Sequence, residues 1–112
     1  MKLLKCIIQP SKLDDVKEAL ATIHVQGMTI SEVKGFGSRK GHSDQHSVAE
    51  YALDFEPKVE IEVFIPDTMV RRVLDTVMQS AQSGKAGDGK IFIMNVDQAV
   101  RIRTGESDDA AL

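Results

Sequence analysis

The segment Lys58-Val59-Glu60-Ile61-Glu62-Val63-Phe64-Ile65 alternates with a period of two. Val59, Ile61, Val63 and Ile65 share one face of an extended strand, while Lys58, Glu60, Glu62 and Phe64 share the other. Apolar runs at 3–9, 28–33 and 91–96 predict three more strands. Two stretches keep helical spacing instead. They are Leu13, Val16, Leu20 and Ile23, and then Met69, Val70, Val73, Leu74, Val77, Met78 and Ala81. Ser11 with Asp14 three residues later predicts a capping box for the first helix, and Gly27 its end. Asp67 after Pro66 predicts the N-cap of the second. The order strand-helix-strand, long connection, strand-helix-strand predicts an α+β, ferredoxin-like βαββαβ fold.

The long connection covers residues 37–54 and is dominated by small and charged residues between Ser38 and Ser47. It exceeds the common loop length, which marks it as a candidate functional loop. The last residues, 105–112, are acidic and predict a flexible tail. At 112 residues a single domain over 1–112 is expected. A domain of this size has a modest core and gains from association.

Composition narrows the function classes. The net charge of -3 argues against general nucleic-acid binding, which needs a strongly basic surface. One cysteine, Cys6, lies in an apolar run; it cannot form an intramolecular disulfide and reads as a small core residue in a reducing compartment. The N-terminal apolar stretch is short and interrupted by Lys5, so no signal peptide is expected. No run approaches the ~18 apolar residues of a membrane span. The expected location is cytoplasmic.

Chemistry concentrates in Ser83-Gly84-Lys85-Ala86-Gly87-Asp88-Gly89-Lys90. The segment follows a helix and leads into a strand, and Lys90 precedes Ile91, so it is not a P-loop. Its glycines would let backbone N–H groups converge into an anion-binding nest, or they make an ordinary turn with solvated lysines. Arg101-Ile102-Arg103 weighs toward phosphate: in an extended segment both guanidinium groups share one face and Ile102 turns to the core. Glu60 and Glu62 read as a solvated or salt-bridged strand face rather than an acid/base pair. His42, Asp44 and His46 offer a weak metal reading, and no metal site is assigned. No nucleophile and base pair is arranged for an enzyme.

Over essentially its whole length the chain resembles the P-II nitrogen-regulatory family. The resemblance is carried by Lys12-Leu13-Asp14-Asp15-Val16, Gly27-Met28-Thr29, Glu32-Val33-Lys34-Gly35-Phe36-Gly37, Asp88-Gly89-Lys90-Ile91-Phe92 and Arg101-Ile102-Arg103-Thr104-Gly105-Glu106. It implies a homotrimer that binds ATP or ADP in clefts between subunits, senses 2-oxoglutarate beside MgATP and docks targets through a T-loop at 37–54. By matching position, Gly87, Asp88, Gly89 and Lys90 would hold the phosphates, joined across the interface by Arg101 and Arg103. Thr29, Gly35, Gly37, Ser38, Glu62 and Phe64 would line the base and sugar. Lys58 matches the lysine that meets the 2-oxoglutarate carboxylate, and Tyr51 the tyrosine modified in some members.

The chain departs from the family around the effector and the loop tip. Ser38-Arg39-Lys40 stands where Arg-Gln-Lys is usual, and the glutamine helps ligate Mg²⁺. Arg39 has no acceptor and stays cationic, so it would repel a dication; Mg²⁺-dependent 2-oxoglutarate sensing is expected to be weakened. Ser47 replaces the arginine that plugs ammonium channels, and Val48 a glycine. Gln9 and Ser11 replace a lysine and a phenylalanine and read as local surface tuning. The sequence therefore points to a non-catalytic, adenylate-responsive regulator of a membrane transporter or enzyme, with which slow ATP hydrolysis is compatible. Its rivals are a conventional 2-oxoglutarate-sensing nitrogen regulator and a metal-responsive trimer using His42 and His46.

Overall fold

The computed structural model describes residues 1–36 and 55–112. The first strand, β1 (Lys2–Ile8), is followed by a 3-10 turn and helix α1 (Leu13–Thr22). Strand β2 (Thr29–Gly35) and strand β3 (Glu56–Ile65) come next, then helix α2 (Val70–Ala81) and strand β4 (Gly89–Asn95). The strands form one sheet in the order β2-β3-β1-β4. All three pairings are antiparallel, so β1 and β2 run parallel with β3 inserted between them. This is the expected α+β, ferredoxin-like arrangement of two interlocked βαβ units.

The period-two pattern decides which face is covered. Leu4, Cys6 and Ile8 of β1 and Val59, Ile61, Val63 and Ile65 of β3 are buried. Val16 and Leu20 of α1 and Val73, Val77 and Ala81 of α2 meet them from one side. Each fully buried Leu, Ile or Val stabilises the fold by roughly 1.5–3 kcal/mol before entropy is counted. Burial pushes the Cys6 thiol up to about 11, consistent with an inert core residue. Met78, predicted on the core face, is half exposed and instead borders a groove of about 360 Å³ between α2 and β4. Among the described residues no helix is long and apolar enough to cross a membrane.

Both predicted helix caps are corrected. Pro10–Lys12 and Asp67–Met69 form 3-10 turns ahead of the α-helices, and no side chain caps either turn or either helix. The Asp67 carboxylate accepts from the Met1 amino group at 2.9 Å, with Lys2 Nζ at 3.5 Å. The Met1 hydrogen bond, followed by the charge of Lys2, holds the Asp67 carboxyl below its usual range. Helix α1 ends five residues before Gly27, at Thr22. The reversal falls on His24 at φ 68°, where the Val25 N–H donates to the Leu20 carbonyl at 3.0 Å. A bond spanning five residues beside a left-handed residue has the pattern of a Schellman cap, here built without glycine.

The acidic tail is tied back. The Asp108 N–H donates to the Ala99 carbonyl at 2.7 Å, and residues Asp108–Ala111 form a 3-10 turn.

Candidate site at the two ends of the sheet

Strand register brings three chain segments to one end of the sheet. Ile8, the last residue of β1, lies opposite Val59 on one side and Gly89 on the other. The next residue, Gln9, therefore emerges between the start of β3 and the turn before β4. Its Nε2 donates to the Gly87 carbonyl at 2.7 Å, and Lys58 Nζ donates to the same oxygen at 2.5 Å. Gly35 completes this corner. A Cβ there would lie 3.3 Å from Lys58 Cγ, so the glycine leaves room for the lysine stem.

The glycine-rich segment is a turn organised from within. Asp88 Oδ2 accepts from the Ser83 N–H at 2.8 Å and the Gly84 N–H at 3.0 Å. Asp88 Oδ1 accepts from Ser83 Oγ at 2.5 Å. The Ser83 hydroxyl and backbone bonds hold the Asp88 carboxyl below its usual range. In this chain Asp88 is thus engaged with the turn, and the amides of Ser83 and Gly84 already have an acceptor. Gly84, Gly87 and Gly89 all have positive φ. Gly89 is constrained twice: its φ is 107°, and a Cβ would lie 1.7 Å from the Ile7 carbonyl oxygen. Lys90 follows, exposed and opposite Ile7.

The other predicted residues lie toward the opposite end. Thr29 is paired with Glu62, and Phe64 with Leu3. Thr29, Glu62, Phe64 and Arg101 border an open cavity of about 850 Å³, which the end of the chain also lines through Leu112. Lys58 and Phe64 are six residues apart on β3, about 20 Å at the rise of a strand. Lys5 Nζ and Glu60 Oε1, 3.2 Å apart, form an ion pair on the same open face, which bears out the structural reading of Glu60.

The extended reading of 101–103 is corrected. The Gly105 N–H donates to the Arg101 carbonyl and the Arg101 N–H to the Glu106 carbonyl, each at 2.8 Å, closing a tight turn. Ile102 is fully exposed instead of facing the core. Arg101 Nη1 binds Glu106 Oε1 at 3.0 Å, and its Nη2 donates to the Leu112 carbonyl at 3.3 Å. Arg103 is exposed.

Gly37, Ser38, Arg39 and Tyr51, the expected T-loop at 37–54, and His42, Asp44 and His46 lie outside the described residues. Among the described residues no cluster of His, Cys, Asp and Glu could hold a metal ion. The reading of Gln9 as local surface tuning is corrected, since its amide binds the Gly87 carbonyl, and the part Ser83 plays in holding Asp88 was not foreseen. Only the register that places Gln9 beside Lys58 and Gly87, and the turn that folds Ser83 onto Asp88, reveals them.

The profile of the family described as "Nitrogen regulatory protein P-II" matches residues 1–106. The chain is 55% identical over 112 residues to "Nitrogen regulatory protein P-II 1" of Escherichia coli K12, covering all of both chains. It is 54% identical over the full length to "Nitrogen regulatory protein P-II" of Klebsiella oxytoca. It is 53% identical over 107 residues to that of Bradyrhizobium diazoefficiens, covering 96% of each. With its fold, its glycine turn and its full-length similarity in agreement, the chain belongs to the P-II nitrogen regulatory protein family.

Proposed function

We propose that this protein is a non-catalytic cytoplasmic signalling protein that binds ATP or ADP in clefts between the subunits of a homotrimer. The supporting observation is the separation of its site. The glycine turn with Lys90, Lys58 and Gly35 occupies one end of the sheet, and the cavity with Thr29, Glu62, Phe64 and Arg101 the other. A second copy that sets its cavity against the first copy's turn supplies both halves to one nucleotide. The open sheet face favours such an assembly. The helices cover one side, while Phe64, Phe92 and Met94 remain exposed on the other. Burying them releases apolar surface from water.

Signalling then proceeds by population shift. ATP and ADP differ in the phosphate they present near the root of the 37–54 loop, and so favour different loop conformations for a target transporter or enzyme. Arg39 weakens the Mg²⁺-dependent 2-oxoglutarate response, because a guanidinium cannot ligate the metal. Calorimetry with ATP and ADP, each with and without Mg²⁺ and 2-oxoglutarate, tests this reading. Adenylate binding with little coupling to 2-oxoglutarate is expected. Absence of adenylate binding overturns the reading, and strong Mg²⁺-dependent coupling restores the conventional nitrogen regulator.

A further inference from the structure

The Gly87 carbonyl oxygen has two lone pairs, and both find donors: the Gln9 amide at 2.7 Å and the Lys58 ammonium at 2.5 Å. The two donors differ in kind. Lys58 is a cation on a long flexible stem with further donors to spare, so an anionic ligand competes directly for it. Gln9 is neutral, half-buried and fixed by the end of β1, so an anion has little hold on it. If Lys58 were the sole tether, an anion that drew its ammonium away would leave the carbonyl unpartnered, which carries a desolvation cost. With Gln9 present, the turn keeps one bond whichever way Lys58 points.

We infer that Gln9 is the positioning residue of the phosphate turn. It pins the Gly87 carbonyl to the end of β1 and so holds the backbone of Gly87, Asp88 and Gly89 in register for phosphate, independently of Lys58. This role rests on the nucleotide reading above but concerns a contact present in the single chain without nucleotide. The reach of the anchor is short. Gly87 and Gly89 both have positive φ, and Gly89 abuts the Ile7 carbonyl, so rotation of the Gly87–Asp88 peptide carries the turn with it. Asp88 transmits the same constraint to Ser83 and Gly84 through its carboxylate.

The test uses the full chain with Gln9→Met, which keeps volume but cannot donate, and Gln9→Lys, which returns a donor. Two readouts are taken: the Gly87 carbonyl carbon resonance in nucleotide-free protein, and ATP affinity by calorimetry. Loss of one hydrogen bond is expected to move the resonance upfield, to weaken ATP binding about five- to tenfold and to lower the melting temperature by only a few degrees, the chain staying folded. Gln9→Lys is expected to return the resonance to its natural position. A resonance unmoved by Gln9→Met, or ATP bound as tightly as by the natural chain, overturns the inference. If the natural chain binds no adenylate, the nucleotide reading falls, and the carbonyl resonance alone upholds or overturns the anchor.

Discussion

At the scale of single residues, the turn before β4 depends on side chains that are small or acidic for stated reasons. Gly89 can be replaced by nothing larger without moving the backbone of β1, because the added carbon would sit 1.7 Å from the Ile7 carbonyl oxygen at a φ that L-residues avoid. Gly89→Ala is expected to destabilise the protein by about 3 kcal/mol, read as a lower urea midpoint. Asp88 makes a prediction in pH. Its folded pKa is depressed, chiefly by the Ser83 hydroxyl bond. The carboxylate's contribution is therefore complete above the unfolded value of about 3.9 and is lost as pH falls through the lower folded value. Carboxyl-carbon NMR is expected to show Asp88 titrating below the ordinary range of an aspartate, and Ser83→Ala is expected to raise its midpoint.

At the scale of elements, legibility followed the range of the interaction. Strand β3 was readable residue by residue because its alternation is a local pattern that burial repeats: Val59, Ile61, Val63 and Ile65 are all inside. The helix faces were readable for the same reason, apart from Met78, which lies at the rim of its face beside a groove. The helix starts misled because Ser11 and Asp67 have the right chemistry for caps, but intervening 3-10 turns leave them out of position. The segment around Arg101 misled because its residue types fit a strand, while the turn is set by backbone bonds to Glu106 and Gly105. The end of α1 offers a test. His24 adopts φ 68° where glycine has no steric penalty, and a Cβ-bearing residue there pays for the conformation. His24→Gly is expected to stabilise the chain by about 0.5–1 kcal/mol, offset partly by unfolded-state entropy, and to raise the melting temperature.

At the scale of the whole molecule, the candidate site was legible as a set of residues but not as an arrangement. Thr29, Glu62, Phe64, Lys58 and the glycine turn could each be named from motifs, yet only the order β2-β3-β1-β4 and its register show that they fall into two groups. That division is the basis for placing the nucleotide between copies. It leads to a complementation measurement. In the proposed shared site, Lys90→Met would damage the turn half and Arg101→Met the cavity half. Each variant alone is expected to lose at least tenfold in ATP affinity, as fits the loss of a charged phosphate contact. Co-refolded together, the two chains are expected to form mixed assemblies in which some of the proposed clefts pair an intact turn with an intact cavity. Calorimetry of the mixture is predicted to recover a fraction of sites with the affinity of the natural chain. A mixture that binds no better than the separate variants, in assemblies shown to be mixed, contradicts a shared site.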